Sequence, residues 1–215
     1  YHYFQRPPLK QSYNPKDHLP SQTVSAARCG HKEANVLLFT MGCDTKGIAY
    51  NPNETVRFAE IQKKLQRDGH NIPSAQIVDC VPLGNGNIDS WQYTTGRNWK
   101  LFRAVWEHPK VVDILNIFYS EYMRFNNTRA PGEEFHAAFY CKSGCHRSVA
   151  TALGLQAWLL NKHQNIDVTI DHKEAEQHRL RFCSGACRFC SDWQGRAQLE
   201  LAVIQKVFRR EAVPY

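Results

Sequence analysis

The chain has 215 residues, 42% of them hydrophobic, which is enough to bury one substantial core. A formal charge of +7 and a pI near 9.0 favour an anionic partner such as RNA, a phosphorylated small molecule or an acidic protein surface, without choosing among them. No apolar run approaches the roughly 18 residues of a membrane-spanning helix, so a soluble protein is expected.

In chain order, residues 1–33 carry Pro7, Pro8, Pro15 and Pro20 without apolar periodicity and read as an extended N-terminal arm. A first strand is expected over Ala34–Thr40, closed by Gly42, and a helix over about 53–68. A second strand, Ala75–Val81, runs into a polar loop from Pro82 to Ser90. Two helices, Asn98–His108 and Lys110–Phe125, meet at Pro109. The strand Glu134–Cys141, the helix Ser148–Asn161 and the strand Ile166–Asp171 follow, and Gln194–Arg210 has the pattern of a terminal helix. Strands alternating with helices define an α/β class with a small, mostly parallel sheet flanked by helices. The expected organisation is the arm over 1–33, an α/β domain over 34–176 and a Cys/His-rich extension over 177–215.

Eight cysteines are unevenly distributed, with Cys141 and Cys145 in one cluster and Cys183, Cys187 and Cys190 in another. That pattern fits reduced thiols and metal better than a disulfide framework, and implies a reducing compartment, the cytoplasm first. The sequence opens at Tyr1 rather than Met, which leaves an organellar leader open.

The segment Phe139–Thr151, FYCKSGCHRSVAT, reads as strand, anion-binding loop and helix start. Between Cys141 and Ser148, the amides of Lys142, Ser143, Gly144, Cys145 and His146 and the helix dipole point at whatever occupies the turn. Gly144 allows close approach, Arg147 offers a planar fork, and Ser148 can bond the anion or the Cys141 sulfur. The same field would favour a Cys141 thiolate. The plain alternative is a small buried cysteine at a strand end.

Cysteine-dependent phosphatases share this Cys-x5-Arg spacing. In them the thiolate attacks phosphorus and a separate Asp protonates the leaving group, a role for which Asp44, Asp79 and Asp89 are the available residues. The chain more closely resembles the RapZ C-terminal-domain family, whose Cys-x5-Arg-Ser loop also carries His before Arg. Leu38–Gly42 with Lys46-Gly47, Ile77-Val78-Asp79 with Leu83 and Asn85, Thr95-Gly96, and Val168–His172 follow in the family's order. The resemblance implies a domain that recognises a sugar phosphate and a regulatory RNA. It carries Gly42, Lys46, Asp79, Asn85, Thr95, Gly96, Cys141, Gly144, His146, Arg147 and Ser148 to the pocket. Lys46 stands where the family usually has His, Val81 where it has Arg, and Gly84 and Gly86 where it has prolines. No Gly-x4-Gly-Lys-Ser/Thr run is present, so the family's nucleotide-binding N-terminal domain is not represented.

Near the C-terminus, His178, Cys183, Cys187 and Cys190 supply one imidazole and three thiolates, the donor set of a closed structural zinc site. His172 or Cys145 are alternative fourth ligands. The Cys-x3-Cys-x2-Cys run also resembles the cluster-binding signature of radical S-adenosylmethionine enzymes, but too little chain follows Cys190 for their barrel. Three free cysteines are the plain reading. Arg179, Arg181, Arg188, Arg209 and Arg210 concentrate positive charge beside Phe182, Phe189 and Trp193, a composition suited to a phosphate backbone or to a solvated helix face. Trp91, Trp99, Trp106 and Trp158 read as core aromatics. Taken together, the residues point to a non-catalytic phosphate-binding module acting in RNA or ribonucleoprotein binding. A Cys141/Arg147 phosphatase is one alternative, and a structural subunit with a vestigial pocket is another.

Overall fold

A computed structural model describes residues 35–43, 51–84, 95–163 and 165–174, together with Ala202. The arm expected over 1–33 lies outside the described residues, as does the extension over 177–215 apart from Ala202. Among the described residues four strands alternate with four helices: β1 Val36–Gly42, α1 Glu54–Arg67, β2 Ile77–Asp79, α2 Trp99–Trp106, α3 Val111–Thr128, β3 Phe135–Cys141, α4 Arg147–Lys162 and β4 Val168–His172. The sheet is wholly parallel, in the order β2-β3-β1-β4. The α/β class expected from the alternation is the one found.

Strand composition explains the layering. β1 and β3 are apolar at nearly every position because both of their faces are covered, as parallel strands require. Leu38, Phe135, Ala137 and Phe139 pack on one side with Phe102 and Trp106 of α2, Leu115 and Phe118 of α3, and Leu155 and Leu159 of α4. Phe39, Met41, Ala138 and Tyr140 face the other side, where α1 contributes Ile61 and Leu65. The crossovers β1-α1-β2 and β3-α4-β4 each skip one strand and run toward opposite edges, so right-handed connections put α1 and α4 on opposite faces. Adjacent strands whose helices leave to opposite faces open a crevice at their C-terminal ends. Here that crevice lies between Gly42 and Cys141.

Element boundaries shift by one to a few residues from the sequence expectation, and three of the shifts have a visible local cause. The first strand continues two residues further, because Met41 and Gly42 pair with Tyr140 and Cys141. The strand expected over 75–81 begins as a 3₁₀ turn at Ser74–Gln76, where Pro73 holds φ at −55° and its carbonyl accepts the Gln76 amide at 2.9 Å. Only Ile77–Asp79 remains extended. The third helix runs on to Thr128, whose hydroxyl donates back to the Arg124 carbonyl at 3.0 Å.

Trp106 crosses α4 at close range: its indole N–H donates to the Ala150 carbonyl at 2.9 Å, and a Cβ on Gly154 would lie 2.0 Å from its ring. A mid-helix glycine costs about 1 kcal/mol relative to alanine, so here the missing side chain is the condition of the crossing. Gly154→Ala is therefore expected to destabilise the fold by about 1–3 kcal/mol or more through overpacking, read as a lowered midpoint in denaturant unfolding. An unchanged midpoint would show that the indole has room to move aside.

Candidate anion-binding site

Gly42 and Cys141 end their strands side by side in register, and the Cys43 amide extends the pairing by donating to the Cys141 carbonyl at 3.0 Å. The chain then turns through Lys142–His146 into α4, with Gly144 in the left-handed region at φ +71°. Backbone presses on backbone here. A Cβ on Gly42 would lie 2.7 Å from the Ser143 carbonyl carbon, and one on Gly144 would lie 2.4 Å from the Gly42 nitrogen. On the other flank the Gly96 amide donates to the Cys145 carbonyl at 2.8 Å, and a Cβ there would fall 2.2 Å from the His146 oxygen. Within the loop, Ser143 Oγ and His146 Nδ1 share a hydrogen bond at 2.9 Å, and the Cys145 thiol donates to the Ser143 carbonyl at 3.2 Å.

The start of α4 differs from those of α1 and α2. Asn53 caps α1 by accepting from the Thr55 and Val56 amides, and Asn98 caps α2 by accepting from Lys100. His146, at the N-cap of α4, makes no side-chain cap. The amides of Ser143, Gly144, Cys145, Arg147, Ser148 and Val149 donate to no acceptor among the described residues. The first amides of a helix have no acceptor within it, so these groups, at the positive end of α4, can receive an oxyanion or water. Arg147 adds a charged edge. Its Nη1 donates to the Val81 carbonyl and, at 3.1 Å, to the Leu83 carbonyl, while its Nε is buried and bonds to nothing among the described residues. One side of the guanidinium is thus anchored, which fixes its plane beside the loop.

Cys141 is 1% exposed, packs in the core cluster on the α2–α4 side and shares a hydrogen bond with Ser148 Oγ at 3.2 Å. Its neighbours are buried thiols. Burial, with Cys141 adding to it, pushes Cys43 up to about 11 and Cys145 up to about 12, and burial raises Cys80 further still. Asp79 is fully engaged: Oδ2 pairs with Arg57 at 2.6 Å and Oδ1 accepts the Val81 amide at 2.7 Å. Its register partner Tyr140 packs on the α1 face, opposite the cluster that holds Cys141. Of the acids available for leaving-group protonation, Asp79 is therefore turned away from the thiol, and Asp44 and Asp89 lie outside the described residues.

The loop residues expected from the sequence are brought together, apart from the Lys142 side chain, which is exposed. Thr95 and Gly96 stand beside the loop as buried residues. Lys46, Asn85, the zinc set His178, Cys183, Cys187 and Cys190, and the basic residues Arg179, Arg181, Arg188, Arg209 and Arg210 lie outside the described residues. Among the described residues no three His, Cys, Asp or Glu groups stand close enough to hold a metal. Trp106 and Trp158 are core aromatics as expected, but Trp99 is 37% exposed and that expectation is corrected. Trp99 is the first residue of α2, and its side chain is left partly uncovered at the helix start. No protein-family model, no curated protein and no solved structure matches this chain.

Two charged positions at the site have no motif to announce them. Arg57 occupies the apolar stripe of α1 four residues before Ile61, and a cation on a core stripe is the one signal that it is paired inside. Glu174 accepts the Gly42 amide at 3.1 Å and pairs with Lys64, so its carboxylate braces the strand end against which the loop packs. Burial raises its pKa, with Lys64 and the Gly42 amide opposing. Because the folded value is raised above the unfolded one, the stability it contributes is fully present below the unfolded value and lost as pH climbs through the folded value. Wild type is therefore expected to lose stability relative to Glu174→Gln as pH rises from below about 4.3 toward neutrality, measured by urea unfolding at stepped pH. A pH-independent difference would remove Glu174 from this role.

Proposed function

We propose that the chain is a non-catalytic module that binds a phosphate-like anion in the loop Cys141–Ser148 and acts in RNA or ribonucleoprotein recognition, related to the RapZ C-terminal domain. The observation that carries this reading is that the amides of Ser143, Gly144, Cys145, Arg147, Ser148 and Val149 donate to no acceptor among the described residues, next to an Arg147 guanidinium held in place by two carbonyls. Three features add support: the crevice at the strand ends, the basic balance of the chain, and the arginine-rich segment beyond residue 177. A phosphorylated small molecule offers the same chemistry to the loop. Buried free thiols at Cys43, Cys80, Cys141 and Cys145 suit a reducing compartment.

Binding is favoured over a Cys141-dependent phosphatase because the thiol is closed off against α4 and Asp79 is committed to Arg57. Arg147→Ala is expected to weaken inorganic phosphate binding by roughly 1.5–3 kcal/mol, the worth of a charged hydrogen bond, with Arg147→Lys intermediate. Cys141→Ser should bind within a few-fold of wild type, and neither protein should turn over an aryl phosphate. Calorimetry and a chromogenic assay decide: turnover that depends on Cys141 would establish the phosphatase, and no phosphate binding at all would leave a structural subunit.

The zinc proposal is independent of the loop. His178, Cys183, Cys187 and Cys190 would hold one structural zinc ion, a closed tetrahedral set without an open position for catalysis. Elemental analysis of protein purified without chelator is expected to give one zinc per chain, reduced in Cys187→Ser. Metal-free wild type would end this part of the proposal.

A further inference from the structure

The geometry points to Trp99 as a stacking platform for the base of a nucleotide whose terminal phosphate occupies the loop. This rests on the anion reading of the loop and adds the class of ligand. The argument begins with helix placement. Trp106, near the end of α2, lies against Ala150 and Gly154 of α4, while Gly96, just before α2, touches His146 and Ala150 at the other helix's start. The two helices therefore begin at the same end of the molecule. Trp99 precedes Trp106 by seven residues, about two turns, so it lies on nearly the same stripe of α2 roughly 10 Å further toward that end. Ala150 is only three residues into α4, and Gly96, three residues before Trp99, touches His146, so Trp99 stands near the beginning of α4 where the loop enters it.

The side chain is available there. Trp99 is 37% exposed, whereas Trp106 and Trp158 are 0% and 7%. The Lys100 ammonium lies over the Trp99 ring, 5.8 Å from its centroid, and brings positive charge to that end of α2. A terminal phosphate offers three free oxygens to the loop amides and the guanidinium, where a phosphodiester offers two. An aromatic face one nucleoside away then distinguishes a nucleotide from a bare sugar phosphate, because every base has a π-face and a sugar has none.

The test is calorimetric titration of the full chain with inorganic phosphate, ribose 5-phosphate, adenosine 5′-monophosphate, and a short oligoribonucleotide with and without a 5′-phosphate. Intrinsic tryptophan fluorescence is followed in parallel. Adenosine 5′-monophosphate is expected to bind roughly tenfold or more tightly than ribose 5-phosphate and to quench fluorescence. Trp99→Leu should close that gap while leaving inorganic phosphate affinity unchanged, and Trp99→Phe should restore part of it. Support takes one of two forms: a phosphorylated oligonucleotide that outbinds the monophosphate assigns the site to RNA ends, and equal binding assigns it to free nucleotides. Phosphate binding with equal affinity for the two monophosphates overturns this inference alone. Loss of all phosphate binding overturns the loop reading and this inference with it.

Discussion

The contact on which the rest of the structure depends is that of Gly42 against Ser143 and Gly144, main chain on main chain at the ends of β1 and β3. No side chain fits between them: a single added carbon on either glycine would fall within 2.7 Å of the opposite backbone. The register of the two central strands, the tightness of the turn after Cys141 and the direction in which α4 departs follow from that closeness. The crevice between helices leaving to opposite faces is general to such sheets. What is particular here is how little space the strand ends leave between them.

Buried charge holds this seam from the α1 side. α1 runs from Arg57, paired with Asp79 at the end of one edge strand, to Lys64, paired with Glu174 just beyond the other. Asp79 also holds the Val81 amide, and the Val81 carbonyl receives Arg147, so the position of the guanidinium is relayed from α1 through a carboxylate and a peptide unit. The more buried of the two, Arg57 with Asp79, adds little over apolar packing, yet breaking such a pair costs about 3–5 kcal/mol. Its contribution is to fix one arrangement. The side chain that would meet a ligand is thereby oriented by residues that never touch it.

Local sequence chemistry made much of this legible. The strand, turn and helix of FYCKSGCHRSVAT are where the sequence places them, because a β-rich apolar run, a glycine and a strongly apolar helix face leave few other arrangements. The α/β alternation was equally readable. Less visible were features set by partners distant along the chain. Glu174 stands in no motif and owes its place to an amide and an ammonium contributed by β1 and α1. Arg57 carried a faint signal, a cation on a core stripe. The exposure of Trp99 could not be read from its helical position, since its cover or lack of cover depends on where α4 begins. Asp79 matched the pocket pattern by order along the chain but is spent on Arg57, which sequence order alone does not reveal.

The order of the strands also bears on how the chain reaches this state during synthesis. β1 precedes the other strands but pairs with ones that arrive roughly a hundred and roughly a hundred and thirty residues later, so its hydrogen-bonding groups wait until those residues are made. An apolar segment of this kind, VLLFTMG, has both edges open until β3 and β4 leave the ribosome. The centre of the finished sheet is thus its most vulnerable part while nascent, and a chaperone that shields the emerging chain would act on the segment later buried most deeply.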